Sequence, residues 1–307
     1  MITRFFSTSK PIHLVIVSFL VLVLFIVYRS GYYSEGINAS QILKEVVLYS
    51  ATLLSIFVLS FFVNKNNLTK QNSFKILLFS LFLACIPETI QHGNIIIANV
   101  FILFGIRRII SLRSNLYVKR KLFDAAFWIA LASLFYFWSI LFFILVFAGL
   151  IFYSIGQINN WIIPFTGVLT VALIVVCYSI ITENSFGDIF TYIDSLSFDF
   201  SKYNKPSLIL SITIILSLGT WAMFFYIKKL QDKSRAYRPS FIMILITLII
   251  GTTIMVLAPN KNGSEFLFIF APLAIIITNY IESIKETWFA EVFVWLLIIT
   301  PIGHLVF

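Results

Sequence analysis

What most constrains this chain is a succession of eleven apolar runs set apart by short polar turns. They occupy roughly 12–28, 46–63, 75–88, 94–107, 122–136, 138–156, 161–182, 207–227, 239–257, 264–281 and 289–306. A membrane-spanning helix needs about 20 apolar residues, and backbone facing lipid must satisfy its own hydrogen bonds, so such runs read as helices. None has the ten-residue alternation of a membrane barrel strand. The expected fold is therefore all-α, a polytopic transmembrane helical bundle of about 11 spans that fills residues 1–307 as one domain. The third and fourth runs are short, with Pro87, Glu88, His92 and Gly93 between them. Residues 75–107 thus read either as two full spans or as a re-entrant pair.

Charged residues make up only 11% of the chain against 60% apolar, and mean hydropathy is +0.99. Soluble domains carry about 25% charged residues. That gap excludes a soluble enzyme, a nucleic-acid-binding domain and a disordered chain. The net charge of +9 accordingly reads as topogenic lysine and arginine, with no nucleic-acid partner. Placing the N-terminus in the cytoplasm puts 17 of the 22 basic residues on the inner side. These are Arg4 and Lys10, Lys65 to Lys75, the six of segment 107–121, the five between Lys228 and Arg238, and Lys285. Eight of the 13 acids fall outside by the same division. The chain is expected to run N-in and C-out, with its first run retained as a span because no small-x-small cleavage site follows it.

Two connecting segments stand out. Residues 107–121, RRIISLRSNLYVKRK, mix six basic residues with Ile109, Ile110, Leu112, Leu116 and Val118. They read as a cytoplasmic interfacial segment attracted to anionic lipid, or as a clamp for a lipid phosphate. In the outer loop 183–206, Phe186, Ile189, Phe190, Ile193 and Leu196 share one helical face. That loop reads as an amphipathic helix on the outer leaflet, or as a lid.

Ionisable residues near the spans are few, and each is a candidate because burying charge in a membrane is costly. Glu88 and His92 sit at i and i+4 in the outer turn, where a carboxylate and an imidazole would share a proton with one substrate oxygen. Alternatively they form a solvated hairpin tip. Glu35 and Glu45 read as loop or helix-start acids, His13 and His304 as interfacial. Asp124 is expected to pair with Lys121 or Arg120 along its own helix. Cys85 and Cys177 lie alone in apolar runs, so neither a metal site nor a cofactor is expected. HExxH, GxxxxGK[ST] and GxSxG motifs are absent. Mid-span polar groups are neutral, Ser133, Tyr136, Thr170 and Thr252 among them, which argues against a carrier.

Four stretches together carry a resemblance: NKNNLTK at 64–70, ANVFILFGIRRIISLRS at 98–114, LFDAAFWIALASLFYFWSILFFIL at 122–145 and NWIIPFTG at 160–167. The chain resembles an uncharacterised family of integral membrane proteins of Bacteroidota, of flavobacterial type. That resemblance implies the inner membrane of a Gram-negative envelope. Segment 125–147 and the pair of runs ending in Arg107-Arg108 are more weakly similar to the GT-C class of glycosyltransferases, which use polyprenyl-phosphate-linked sugars. The GT-C resemblance implies Glu35 as base, Glu88 and His92 near the acceptor, and Arg107, Arg108 and Arg113 toward a lipid phosphate. Two departures stand against it. The first outer loop is short, with Glu35 and Glu45 alone, and Asn94 or Asn99 stands where that class often has Asp. The expected function is therefore a cell-envelope protein that acts on or binds a polyprenyl-phosphate-linked glycan. The alternative is a non-enzymatic membrane subunit or scaffold of a secretion, motility or export complex, whose partners would be other membrane proteins.

Overall fold

The computed structural model describes residues 1–29, 31, 38–182, 196–259 and 261–303. Where it is described, each of the eleven apolar runs is carried mainly by helix, and there is no strand among the described residues. In chain order the helices are α1 (Ile2–Phe6), α2 (Pro11–Arg29), α3 (Ala39–Lys65), α4 (Phe74–Cys85), α5 (Glu88–Gln91), α6 (Gly93–Ile110) and α7 (Val118–Phe135). They continue with α8 (Phe143–Phe152), α9 (Ile158–Ile181), α10 (Pro206–Leu230), α11 (Arg238–Leu257), α12 (Leu267–Ile281) and α13 (Thr287–Gly303). Short 3-10 turns at Ser111–Ser114, Phe137–Phe142 and Ser264–Phe266 follow α6 and lead into α8 and α12. Among the described residues seven helices are long and apolar enough to cross a membrane: α2, α3, α6, α9, α10, α11 and α12, counting the adjoining turns of α6 and α12. This is a multi-pass membrane protein. Three further apolar segments, α4, 137–152 and α13, are shorter.

At the centre lie α4 and α12, in which every residue is buried. A helix that is apolar all round has to be enclosed, and here the enclosure is protein. Phe79 and Phe82 of α4 meet Phe270 of α12 at ring-centroid distances of 6.1 and 5.5 Å. The surrounding ring is α2, α3 and α13 against α4, with α10 and α11 against α12. On one flank α7 packs on α6, and α9 packs on α7. The brevity of α4 follows from this placement. Twelve residues rise about 18 Å, well short of a bilayer core, but a helix sheathed by others has no lipid thickness to match.

The 74–110 hairpin nevertheless has the full height of the bundle. Ser73 Oγ lies 2.8 Å from His13 Nδ1 at the start of α2, and the carbonyls of Ile90 and Gln91 accept from Arg29 at its other end. The hairpin thus reaches both ends of α2, and its turn is set by Pro87, which holds Ile86 out of the helical region (φ −128°, ψ 78°). The loop before α4 is pinned to the end of α12. Glu282 accepts from Lys70 N (2.8 Å) and Asn72 Nδ2 (2.5 Å), and Asn279 Nδ2 donates to Leu68 O (2.9 Å). Burial holds the Glu282 carboxyl above the usual carboxylate range, against the pull of its Asn72 and Lys70 bonds.

Helical glycines sit where helices cross closely. A Cβ on Gly167 of α9 would lie 2.8 Å from the Phe123 carbonyl of α7, and one on Gly251 of α11 would lie 2.7 Å from Ile269 of α12. Segment 107–121 forms the corner between α6 and α7, with Ile109, Ile110 and Leu112 buried in the bundle and Leu116 and Tyr117 exposed. Of the outer loop, 183–195 lies outside the described residues, as do Glu35 and His304; Ser201–Tyr203 is a 3-10 turn.

Candidate functional site

The bundle has two chemically distinct ends. At the end away from the N-terminus, Arg29 is 6% exposed and ion-paired to Glu45 at the start of α3. Its NH2 donates to Glu45 Oε1 (2.8 Å), and its NH1 donates to the carbonyls of Ile90 (2.7 Å) and Gln91 (2.8 Å). One guanidinium thus binds α2, α3 and the α4–α6 turn together. The sequence reading of Glu45 as a loop or helix-start acid did not include this pair. The available signal was that Arg29 ends one apolar run just as Glu45 opens the next.

Glu88 and His92 both lie at this end, each against the loop before α12. The Asn262 amide donates to His92 Nε2 (2.9 Å), while Asn262 Oδ1 accepts from Ser264 N (3.1 Å) and Ser264 Oγ (2.5 Å). Gly263, at φ 94°, packs on Glu88 so closely that a Cβ would come within 3.2 Å of the Glu88 Cβ. One Glu88 oxygen, Oε2, is buried with no protein partner among the described residues. Partial shielding from water, then the nearby Arg29 charge, holds His92 below the usual imidazole range, against a smaller opposing pull from Glu88. Glu265 is wholly buried beneath, accepting from Gly263 N (3.0 Å), Asn262 N (3.3 Å) and Tyr203 OH (3.4 Å). Burial and that carboxylate push the Tyr203 phenol well above its ordinary value, so it stays a neutral donor.

Arg107, Arg108 and Arg113 gather at the opposite end. A cavity of about 210 Å³ opens between α3, the end of α6, the 3-10 turn and the start of α7. Its walls carry five cations, Lys65, Arg107, Arg108, Arg113 and Lys121. Three are held by the protein. Arg108 pairs with Asp124 at 2.8 Å, a correction to the expected pairing with Lys121 or Arg120. The tight α6–α7 hairpin brings Arg108 across to Asp124, while Lys121 Nζ turns to Ser111 O (2.5 Å) and Ser114 Oγ (2.6 Å). Arg113 donates to Asn66 O (2.9 Å) with its guanidinium 4.1 Å over the Tyr237 ring. The other two, Arg107 and Lys65, lie 4.8 and 5.5 Å over the Phe61 ring, and no described carboxylate is within ion-pairing distance of either. Lys65 and Arg108 both sit close enough to Lys121 to repel its ammonium.

Beside this cavity a groove of about 580 Å³ runs between Leu14 of α2 and Phe57, Ser60 and Phe61 of α3, sharing Phe61 and Lys65 with it. Like charges crowded around an open space favour an anion, and the adjoining groove supplies apolar wall. Phosphate is the anion that clustered arginines suit best, through charge-assisted and bidentate hydrogen bonds. Three of the mid-span hydroxyls serve their own helices: Ser133, Thr170 and Thr252 donate to carbonyls of their own helices at 2.7–2.8 Å. No group of three or more His, Cys, Asp or Glu that would hold a metal ion occurs among the described residues.

The model of the family described as "Family of unknown function (DUF6427)" matches residues 1–307. Neither the curated proteins nor the solved structures contain a match to the chain.

Proposed function

Because the chain belongs to DUF6427, a family of unknown function, its role has to be read from its own geometry, and we propose that it binds the phosphate of an anionic membrane lipid. The phosphate would sit between Arg107, Lys65 and Lys121, and the lipid chain would follow the groove past Phe61, Phe57 and Leu14. In this reading the protein crosses a bacterial inner membrane eleven times, N-terminus in the cytoplasm and C-terminus in the periplasm, so the cationic cavity faces the inner leaflet. Exposed Leu116 and Tyr117, with Lys119 and Arg120, would rest on that leaflet. The observation that carries the proposal is the cavity itself: five cations around one space with one carboxylate paired to them.

A polyprenyl phosphate fits the same chemistry as a phospholipid, and a glycan carried on one is the ligand the GT-C resemblance favours. Sugar transfer is a different matter. His92, which caps α6, and Arg107 near its other end are fifteen positions apart, a rise of about 22 Å. Glu88 and His92 therefore cannot act on a bond beside a phosphate held between Arg107, Lys65 and Lys121. The reading is one of lipid binding, with Glu88 and His92 in a separate polar cluster at the periplasmic end.

The test is lipid titration of the purified protein in nanodiscs, comparing phosphatidylglycerol with phosphatidylcholine. Each basic residue contributes about 1 kcal/mol toward anionic lipid, so Lys65→Glu with Arg107→Glu should weaken phosphatidylglycerol binding at least about tenfold. Phosphatidylcholine binding should not change. Equal affinity of wild type and variant for phosphatidylglycerol would remove the site.

A further inference from the structure

A second groove, of about 700 Å³, lies at the same end of the bundle between the starts of α7 and α9. It shares no lining residue with the cationic cavity: the 111–121 corner presents Ser114 and Lys121 to the cavity and Asn115, Lys119 and Arg120 to the groove. Two helices of 18 and 24 residues begin here. Their first turns leave backbone N–H groups without intrahelical partners, and both dipoles place their positive ends at the groove. Lys119 and Arg120 add two full charges on its rim.

A different kind of observation comes from Asn160, in the first turn of α9. It lines the groove and is only 4% exposed, with its Oδ1 buried and bonded to nothing among the described residues. Its Nδ2 reaches Gln157 Oε1 at 3.5 Å. An amide oxygen left in this state calls for a donor. A phosphodiester carries no proton to give, whereas a hydroxyl does. The backbone around the groove is held in an unusual form as well: Asn115 (φ 51°), Tyr117 (φ 51°) and Ser154 (φ 56°), all lining it, are left-handed.

We propose that this groove binds a phosphorylated, hydroxyl-bearing group, its phosphate on Lys119, Arg120 and the two helix N-termini and a hydroxyl donating to Asn160 Oδ1. The ligand chemistry is that of a polyol or sugar phosphate, free in solution or as a lipid headgroup. The site stands independently of the lipid-phosphate cavity, because the two are built from different residues.

The experiment is calorimetric titration of the full-length protein in phosphatidylcholine nanodiscs with three soluble probes: glucose 1-phosphate, glycerol 1-phosphate and inorganic phosphate. A parallel arm compares nanodiscs doped with phosphatidylglycerol or with phosphatidic acid, which lacks the headgroup hydroxyls. Preference for the hydroxyl-bearing member in the soluble arm identifies a free ligand, and the same preference in the lipid arm alone identifies a headgroup. In either case Arg120→Glu, an exposed change that leaves the packing untouched, should weaken binding at least tenfold. Asn160→Leu should erase the preference over plain phosphate, and Lys65→Glu with Arg107→Glu should leave it intact. Absence of the preference in both arms, or its survival in Arg120→Glu, would overturn the proposal. Loss of it in Lys65→Glu with Arg107→Glu would merge the two sites into one.

Discussion

Replacing Arg29 by alanine is expected to destabilise the protein by about 3–5 kcal/mol, because it leaves a carboxylate and two carbonyls without their donor at a packed helix end. The guanidinium sits where α2 ends, α3 begins and the α4–α6 turn closes, and it holds all three through Glu45, Ile90 and Gln91. Its removal therefore uncouples three helices at once. Glu45→Ala should cost less, since Arg29 keeps its two carbonyls. Arg29→Met with Glu45→Leu should recover part of the loss, because replacing a buried pair by apolar groups is far cheaper than orphaning one member. Thermal denaturation in detergent reads the effect, with a fall in Tm of about 10 °C for Arg29→Ala. If Arg29→Ala melts within a degree or two of wild type, the pair does not hold this end together.

Gly167→Leu should detach α9. Of the long apolar helices, α9 and α2 are the least enclosed, with 22% of their apolar windows buried, and α9 depends chiefly on α7 for its place. The crossing point is Gly167, where a Cβ would stand 2.8 Å from the Phe123 carbonyl, 3.0 Å from Ala126 Cβ and 3.1 Å from the Phe127 amide. Two of those three are backbone atoms that cannot turn aside. Helices in lipid associate through such close approaches, since apolar burial alone gives them no preference for each other over acyl chains. Overpacking here should cost about 3 kcal/mol. A cysteine pair across the interface, cross-linked in wild type, should lose its cross-link in Gly167→Leu. Undiminished cross-linking would place the contact elsewhere.

The helices were legible because apolar runs and their breaks are local properties of the chain. Pro87 and Gly93 ended and began helices where the composition changed, and each run found its helix. What could not be read were pairings made across the bundle. Asp124 looks like a partner for Lys121 at i−3, yet Arg108 reaches it from the neighbouring helix because the α6–α7 hairpin is so close. Arg29 and Glu45 are 16 residues apart and separated by a loop, so nothing local announces their ion pair. The complete burial of α4 and α12 was equally hidden, since an apolar helix looks the same whether lipid or protein surrounds it. Arg107, Arg108 and Arg113 were visible as a basic cluster, but Lys65, the fourth wall of their cavity, comes from a helix that ends more than forty residues earlier.

The central claim is that the space between Lys65, Arg107 and Lys121 holds a lipid phosphate. A density map of the protein purified in native-lipid nanodiscs tests it most directly. A phosphate peak within hydrogen-bonding distance of Arg107, with a chain running from it along Phe61 and Phe57 toward Leu14, is the predicted result. A well-ordered cavity containing solvent alone, with lipid density at other helix faces, would contradict it.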